Sequence, residues 1–266
     1  MKTSLIIPCF KRANLLNLGL WSIARQRISY DLEIIVLNDG IQDETEQICK
    51  QYSNRLDIKY FFTGQRNKII EKPRCPVLPF NIGVKKAEGG IIILSSPEIF
   101  HLHNTVNSVV EALIKNEKTM VSPEHIYVDN TGQAKDYLDK ILTLELPEKV
   151  VSSLEQNSKR CRYLRKIPCF MGMYKKDFID IGGYDEDFIG IAGEDDDLIW
   201  RLRLKGLTFH FCDDSKIIHL YHDKHFSKQD KNQNKDYLYN LKLFRKRKGI
   251  INRNVGRDWG RYDEKS

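Results

Sequence analysis

Thr3-Ser4-Leu5-Ile6-Ile7-Pro8 reads as a short buried strand ended by proline, since a brief run of aliphatic residues suits a strand covered on both faces. Asn14 to Gln26 then carries Leu15, Leu18 and Trp21 near helical spacing, with Ile23 flanking that face, and Leu32 to Leu37 is a second β-branched run. Strand, helix, strand is a βαβ opening. A helix around Asp43 to Tyr52, a strand at Asp57 to Phe62, a helix at Asn81 to Ala87 and a strand at Gly90 to Leu94 extend it. The alternation predicts an α/β fold, a mostly parallel central sheet flanked by helices. Ligands of such sheets gather beyond the carboxyl ends of the strands. Three segments fall there: Pro8 to Arg12, Asn38-Asp39-Gly40, and Ser96-Pro97-Glu98.

Composition narrows the class. The 266 residues are 41% hydrophobic and 30% charged, as in a globular protein with a sizeable core and no low-complexity tract. Runs such as Ile91-Ile92-Ile93-Leu94 are too short to cross a bilayer, and Met1 to Cys9 meets a proline before a signal-peptide core develops, which predicts a cytoplasmic location. Six cysteines (9, 49, 75, 161, 169 and 212) form no C-x-x-C pair and read as buried thiols in a reducing compartment. The formal charge of +7 suits anionic partners such as nucleotides, phospholipid surfaces or nucleic acid.

From Leu113 to Ser158 no sharp motif stands out. The pattern returns with a strand at Ile167 to Tyr174, a helix at Lys175 to Ile181, the turn Gly182-Gly183-Tyr184-Asp185, and late strands at Thr208 to Phe211 and Lys216 to Leu220. Past His225 the composition turns to Lys, Asn, Gln and Asp, which divides the chain into a domain over 1–225 and a basic helical extension over 226–266. Within the extension, Asp236 to Lys248 forms an amphipathic helix with Tyr237, Leu238, Leu241 and Phe244 on one side. It is expected to dock on the domain with a solvated basic end, Arg245 to Lys248; a peripheral contact with anionic membrane is the alternative.

The sharpest chemical signal is Gly193-Glu194-Asp195-Asp196-Asp197, ahead of Leu198-Ile199-Trp200. One or two acids in a first helical turn cap free N–H groups and complement the helix dipole. Adjacent like charges repel, so the third and fourth need a cation, a hydroxylated ligand or a reaction to use them.

Taken in order, Ser4 to Pro8, Ile34 to Gly40, Asn81-Ile82-Gly83-Val84 with Ala87-Glu88-Gly89, and Gly182-Gly183-Tyr184-Asp185-Glu186-Asp187-Phe188 through Gly193-Glu194-Asp195-Asp196-Asp197 to Arg201-Leu202 resemble one family. This is the GT-A fold glycosyltransferases of family 2 joined to a galactosyltransferase-type C-terminal segment, over about Ser4 to Asp223. The resemblance implies an inverting transferase acting from a UDP-sugar on a hydroxyl of a glycan or lipid-linked glycan. It implies Asp195 as general base beside Glu194 and Asp196 as acceptor binder. It places Pro8, Phe10, Arg12, Asp39, Arg74 and Asn81 at the nucleotide, with Asp39 accepting from the uracil imide. By itself, Asp39-Gly40 is also an ordinary turn.

Two departures qualify the likeness. Where relatives carry Asp-x-Asp after the fourth strand, this chain has Ser96-Pro97-Glu98, so Glu98 and His222 are the implied ligands of a divalent ion, Mn2+ rather than Mg2+ because of the imidazole. His219, inside the preceding strand, reads as a hydrogen-bonded core histidine. Where the relatives place an acceptor-stacking tryptophan, this chain has Ile191. A sugar nucleotidylyltransferase would need a glycine-rich phosphate loop, which Cys9 to Asn14 does not supply. A metal-dependent nuclease finds no other support, so nucleic acid is not an expected partner. A non-catalytic nucleotide-sugar or glycan binder is the stronger rival, because of Ser96-Pro97-Glu98.

Overall fold

β1 (Thr3–Cys9) lies between β2 (Leu32–Asn38) and β4 (Ile91–Ser95), and all three run parallel, with β3 (Asp57–Phe62) outside β2. The computed structural model describes residues 1–64, 75–129, 152, 155, 156, 158–160, 169–190, 192–222 and 235–262. Beyond β4 the sheet becomes mixed. β8 (Phe170–Tyr174) is antiparallel to β4, β6 (Thr119–Asp129) is antiparallel to β8, and β9 (Thr208–His219) is parallel to β6. β5 (Ile99–His101) closes that edge against β9, and β7 (Ser158–Arg160) pairs with β6.

Side-chain alternation builds two cores. Leu5, Ile7, Ile34, Val36, Ile91 and Ile93 face α1 (Ala13–Ala24), α2 (Thr45–Tyr52) and α4 (Thr105–Lys115). Ile6, Ile35, Leu37, Ile92 and Leu94 face α3 (Val77–Lys86), α5 (Lys175–Asp180) and α6 (Glu194–Leu204), together with Leu243 of α7 (Lys235–Arg247). Burial on both faces explains why these strands read as continuous apolar runs. Among the described residues, no helix is long and apolar enough to cross a membrane.

Buried Glu33 locks the parallel half. It accepts from Ser4 Oγ at 2.5 Å, Lys59 Nζ at 2.7 Å and the backbone N of Glu88 at 2.7 Å. Gly89 passes so close that a Cβ there would meet Ser4 Oγ at 2.6 Å, which explains the glycine of the Ala87-Glu88-Gly89 signature.

Several boundaries differ from expectation. Pro8 does not end β1: Thr3 N donates toward β2, so alternation points the Pro8 nitrogen toward β4, whose pairing has already stopped at Ile6–Leu94. The late strands are one strand, β9, because β6 pairs along its length across a bulge at Pro123/His125. α3 starts before Asn81 and carries Pro79 in its first turn, where a missing N–H costs nothing. α4 follows the spacing of Val106, Val109, Val110 and Leu113, a helical signal that the sequence reading passed over. The apolar face expected on α7 is rotated. Leu238 is 48% exposed, and the buried positions are Asn240 and Leu243.

Candidate active site

α6 begins at Gly193, whose φ of 96° turns the chain into the helix. Its acidic cluster divides by partner. Asp197 is buried and structural, receiving Arg201 Nε at 2.7 Å and Arg253 NH2 at 2.6 Å. Asp185 and Asp187 of the preceding turn are likewise taken up by arginines: Arg247 reaches both at 2.6 Å, Arg253 reaches Asp185 at 2.9 Å and Arg257 reaches Asp187 at 2.6 Å. Thus Arg247, in the basic end expected to be solvated, is an ion-pair partner, while Arg245, Lys246 and Lys248 are exposed.

Glu194 and Asp195 are treated differently. Glu194 is buried, with no hydrogen bond to its Oε2 among the described residues, and Asp195 Oδ1 receives the Tyr184 hydroxyl at 3.0 Å. Burial pushes both carboxyls up. The Asp195 charge adds to the rise at Glu194; at Asp195 the Tyr184 hydrogen bond opposes burial while the Asp196 charge adds to it. Such a coupled pair holds a proton above the ordinary carboxylate range. Asp196, exposed, turns away into a groove of about 290 Å³ lined also by Ile199, Trp200, Arg203, Phe244 and Lys248.

Across the sheet, Asp39 follows β2, nearly buried, its Oδ1 receiving the hydroxyl of Thr63. Pro8 near the end of β1, and Phe10 and Arg12 on the β1–α1 connection, are half-buried, and Lys11 between them takes φ 53°. Arg12 reaches forward: NH1 donates to Glu98 Oε1 at 2.8 Å, and NH2 lies 3.2 Å from His222 Nδ1. Asn81, expected at the nucleotide, is engaged with protein partners. It is fully buried, donating to Tyr184 O at 3.0 Å and Glu186 Oε1 at 2.9 Å and accepting from Tyr184 N at 2.8 Å. It is a strut between α3 and the acidic turn, with its hydrogen-bonding groups directed at protein partners. Arg74 and Ile191 lie outside the described residues.

Pairing of Ile99 with His219 across β5 and β9 brings Glu98 beside both histidines. His219 Nε2 and His222 Nε2 lie 3.5 and 3.6 Å from Glu98 Oε1. Burial alone would raise the Glu98 carboxyl, but the hydrogen bond with His219 and the charges of Arg12, His219 and His222 hold it at about 2. One ligand atom from each of Glu98, His219 and His222 falls within 4.8 Å of the others, and Glu98 Oε2 is buried without a hydrogen-bond partner among the described residues. One carboxylate and two imidazoles fit a divalent transition ion. His219 therefore joins the candidate ligands that the sequence reading confined to Glu98 and His222.

Two thiols connect these groups. Burial pushes Cys75 well up, with the charges of Glu194, Asp195 and Asp39 adding, and pushes Cys169 to about 12, with Glu98 and Asp195 adding. Asp39 and Asp195 thus act on the Cys75 thiol, and Glu98 and Asp195 on Cys169, although these carboxylates come from three distant stretches of chain. The cysteines and Tyr184 carried no sequence signal for this placement, because nothing local marks which thiol or phenol a carboxylate will face.

The strand-end Asp39, the Glu98, His219 and His222 cluster and the Glu194–Asp195 pair are thus carried on a GT-A fold. The chain belongs to glycosyl transferase family 2, whose family model matches residues 4–182; a second, described as the N-terminal domain of galactosyltransferase, matches residues 148–223. It is similar to the chondroitin synthase of Escherichia coli, 28% identical over 58% of this chain and 23% of that protein. It is also similar to the hyaluronan synthase of Pasteurella multocida, 29% identical over 54% of this chain and 14% of that protein. The chain therefore spans less than a quarter of the length of these curated relatives. Among solved structures, S. aureus TarS 1-349 in complex with UDP-GlcNAc superposes with a TM-score of 0.61 at 15% identity, over 91% of this chain and 65% of that one. A Pyrobaculum calidifontis mannosyltransferase in complex with GDP-Man and Mn2+ superposes at 0.59 and 14% identity, over 91% and 64%.

Proposed function

We propose that the chain transfers a sugar from a UDP-sugar to a hydroxyl of a glycan or lipid-linked glycan with inversion at the anomeric carbon. The observation that carries this reading is the Glu194–Asp195 pair at the start of α6, Glu194 buried and Asp195 half-buried with its Oδ1 receiving the Tyr184 hydroxyl at 3.0 Å. In this reading residues 1–225 carry the donor, metal and base positions, and residues 226–266 form a helical extension. Pro8, Phe10 and Arg12 border the nucleotide, and Asp39 accepts from the uracil imide. Asp195 removes the proton of the acceptor hydroxyl as its oxygen bonds to the anomeric carbon and the bond to the UDP oxygen breaks, while Tyr184 holds the carboxylate in place. Asp196 binds the acceptor at the mouth of its groove. Glu98, His219 and His222 would hold a divalent ion, which would supply positive charge for the diphosphate, and their two imidazoles would favour Mn2+ over Mg2+.

A structural neighbour in complex with UDP-GlcNAc and relatives named chondroitin synthase and hyaluronan synthase support the donor and acceptor classes. The rival, a non-catalytic nucleotide-sugar or glycan binder, draws on one observation: Arg12 already neutralises Glu98 where relatives carry Asp-x-Asp. Hydrolysis of UDP-glucose, UDP-galactose, UDP-N-acetylglucosamine and UDP-N-acetylgalactosamine separates the two, since only an enzyme releases UDP. With an acceptor present, anomeric proton couplings should report a β linkage from the α-linked donor. An α linkage would falsify direct displacement with Asp195 as base.

A further inference from the structure

The acidic turn and the start of α6 cannot be held by local structure alone. Gly190, Ala192 and Gly193 have φ of 59°, 85° and 96°, and for alanine that region is sterically disfavoured. What holds this stretch is α7. Its Asp236, Asn240, Leu243 and Arg247 are spaced four, three and four residues apart and share one helical stripe.

Every residue of that stripe except Leu243 meets the loop through polar atoms. Asp236 packs against Gly190, where a Cβ would come within 2.7 Å of its Oδ2. Asn240, fully buried, accepts from Ile189 N at 3.1 Å and donates to Ile189 O at 2.6 Å and Ala192 O at 2.9 Å. Arg247 bridges Asp185 and Asp187. The polar stripe also explains why α7 is rotated from its hydrophobic face: buried amide hydrogen bonds left unmade cost more than an exposed Leu238.

We infer that α7, through Asn240 above all, is a positioning element for the Glu194–Asp195 pair. Asn240 satisfies the carbonyl of Ala192, two residues before Glu194, and so fixes the direction from which the chain enters α6. Asn240 thereby ties α7 to the start of α6. The inference rests on the reading of Asp195 as base, and it predicts that donor binding, built on β1 and β2, is independent of α7.

The test measures UDP release from the four UDP-sugars named above, UDP affinity, and amide hydrogen exchange, for Asn240→Ala, Leu243→Ala and Asp195→Asn. Asn240→Ala should lower kcat at least tenfold, leave the donor KM and the UDP Kd within twofold, and speed exchange at the Glu194, Asp195 and Asp196 amides but not in β1. Leu243→Ala, which removes only apolar contact from the same stripe, should lower Tm while keeping kcat within twofold. Combined with Asp195→Asn, Asn240→Ala should cost little more, because the group it positions is already gone. Wild-type kcat in Asn240→Ala beside an inactive Asp195→Asn overturns the inference. So does an equal loss in both backgrounds, or unchanged exchange in the first turn of α6. Wild-type turnover in Asp195→Asn overturns the base assignment itself, and this inference with it. If Asn240→Ala yields no folded protein, Asn240→Ser, which keeps one donor, carries the same comparison.

Discussion

The parallel half of the sheet and the acidic half of the molecule are ordered by different forces. Around β1, β2 and β4 nearly every side chain is aliphatic and fully buried, and a single carboxylate, Glu33, ties the strands together. Around α6, Arg201 and Arg253, both nearly inaccessible, share Asp197, and Arg253 and Arg247 share Asp185. Hydrophobic burial is non-directional and tolerates small shifts, whereas a network of buried ions holds only while every partner is present. The proposed donor side thus stands on the tolerant half and the proposed base on the exacting one, so the two should be separable by mutation.

The largest expected effect falls on turnover alone. Asp195→Asn should lower the rate by roughly two powers of ten or more while UDP affinity stays unchanged. Direct UDP titration beside UDP release checks both; near-normal turnover would show that the base lies elsewhere. Next is stability. Asp197→Asn removes the carboxylate shared by two buried guanidinium groups and should destabilise the acidic half by about 3–5 kcal/mol. Urea unfolding followed by Trp fluorescence reads this out, and a loss below 1 kcal/mol would mean that the network is replaceable.

A smaller effect tests the metal. Mn2+ should tighten UDP binding, and Glu98→Ala, His219→Ala and His222→Ala should each reduce that enhancement. UDP affinity indifferent to chelator removes the site in this form. The smallest effect is on pH dependence. Burial raises the Asp195 carboxyl, so activity, which needs its ionised form, should fall as the pH drops through that raised range rather than through the ordinary carboxylate range. Tyr184→Phe deletes the hydrogen bond that favours the charged form, so it should move this acid limb to higher pH. A limb unmoved or moved downward would exclude Asp195 as the group it reports.

Legibility followed the same division. The order of elements from Thr3 to Ser95 was readable because each strand is a continuous apolar run and each helix repeats at helical spacing, both local properties. The acidic cluster announced itself by an excess of charge, but its internal roles did not. Glu194, Asp195 and Asp197 look alike in sequence, yet among the described residues one has no hydrogen bond at its buried Oε2, one takes a phenol and one takes two arginines. Asn81 stood out by its place in a motif, but its hydrogen bonds to Tyr184, 103 residues away, did not.

By itself, then, the sequence determined the α/β alternation, the strand-end position of Asp39 and the concentration of carboxylates before α6, since each follows from the nature of neighbouring residues. Only the tertiary structure decided which carboxylate each arginine or phenol takes up, that both His219 and His222 join Glu98, and which face of α7 docks. Those outcomes depend on partners far apart in the chain: Arg12 and His222 are 210 residues apart, Asp197 and Arg253 are 56, and Asn240 and Ile189 are 51. Whether a buried charge is paired or left to titrate is a property of what packs against it, and no local pattern encodes that.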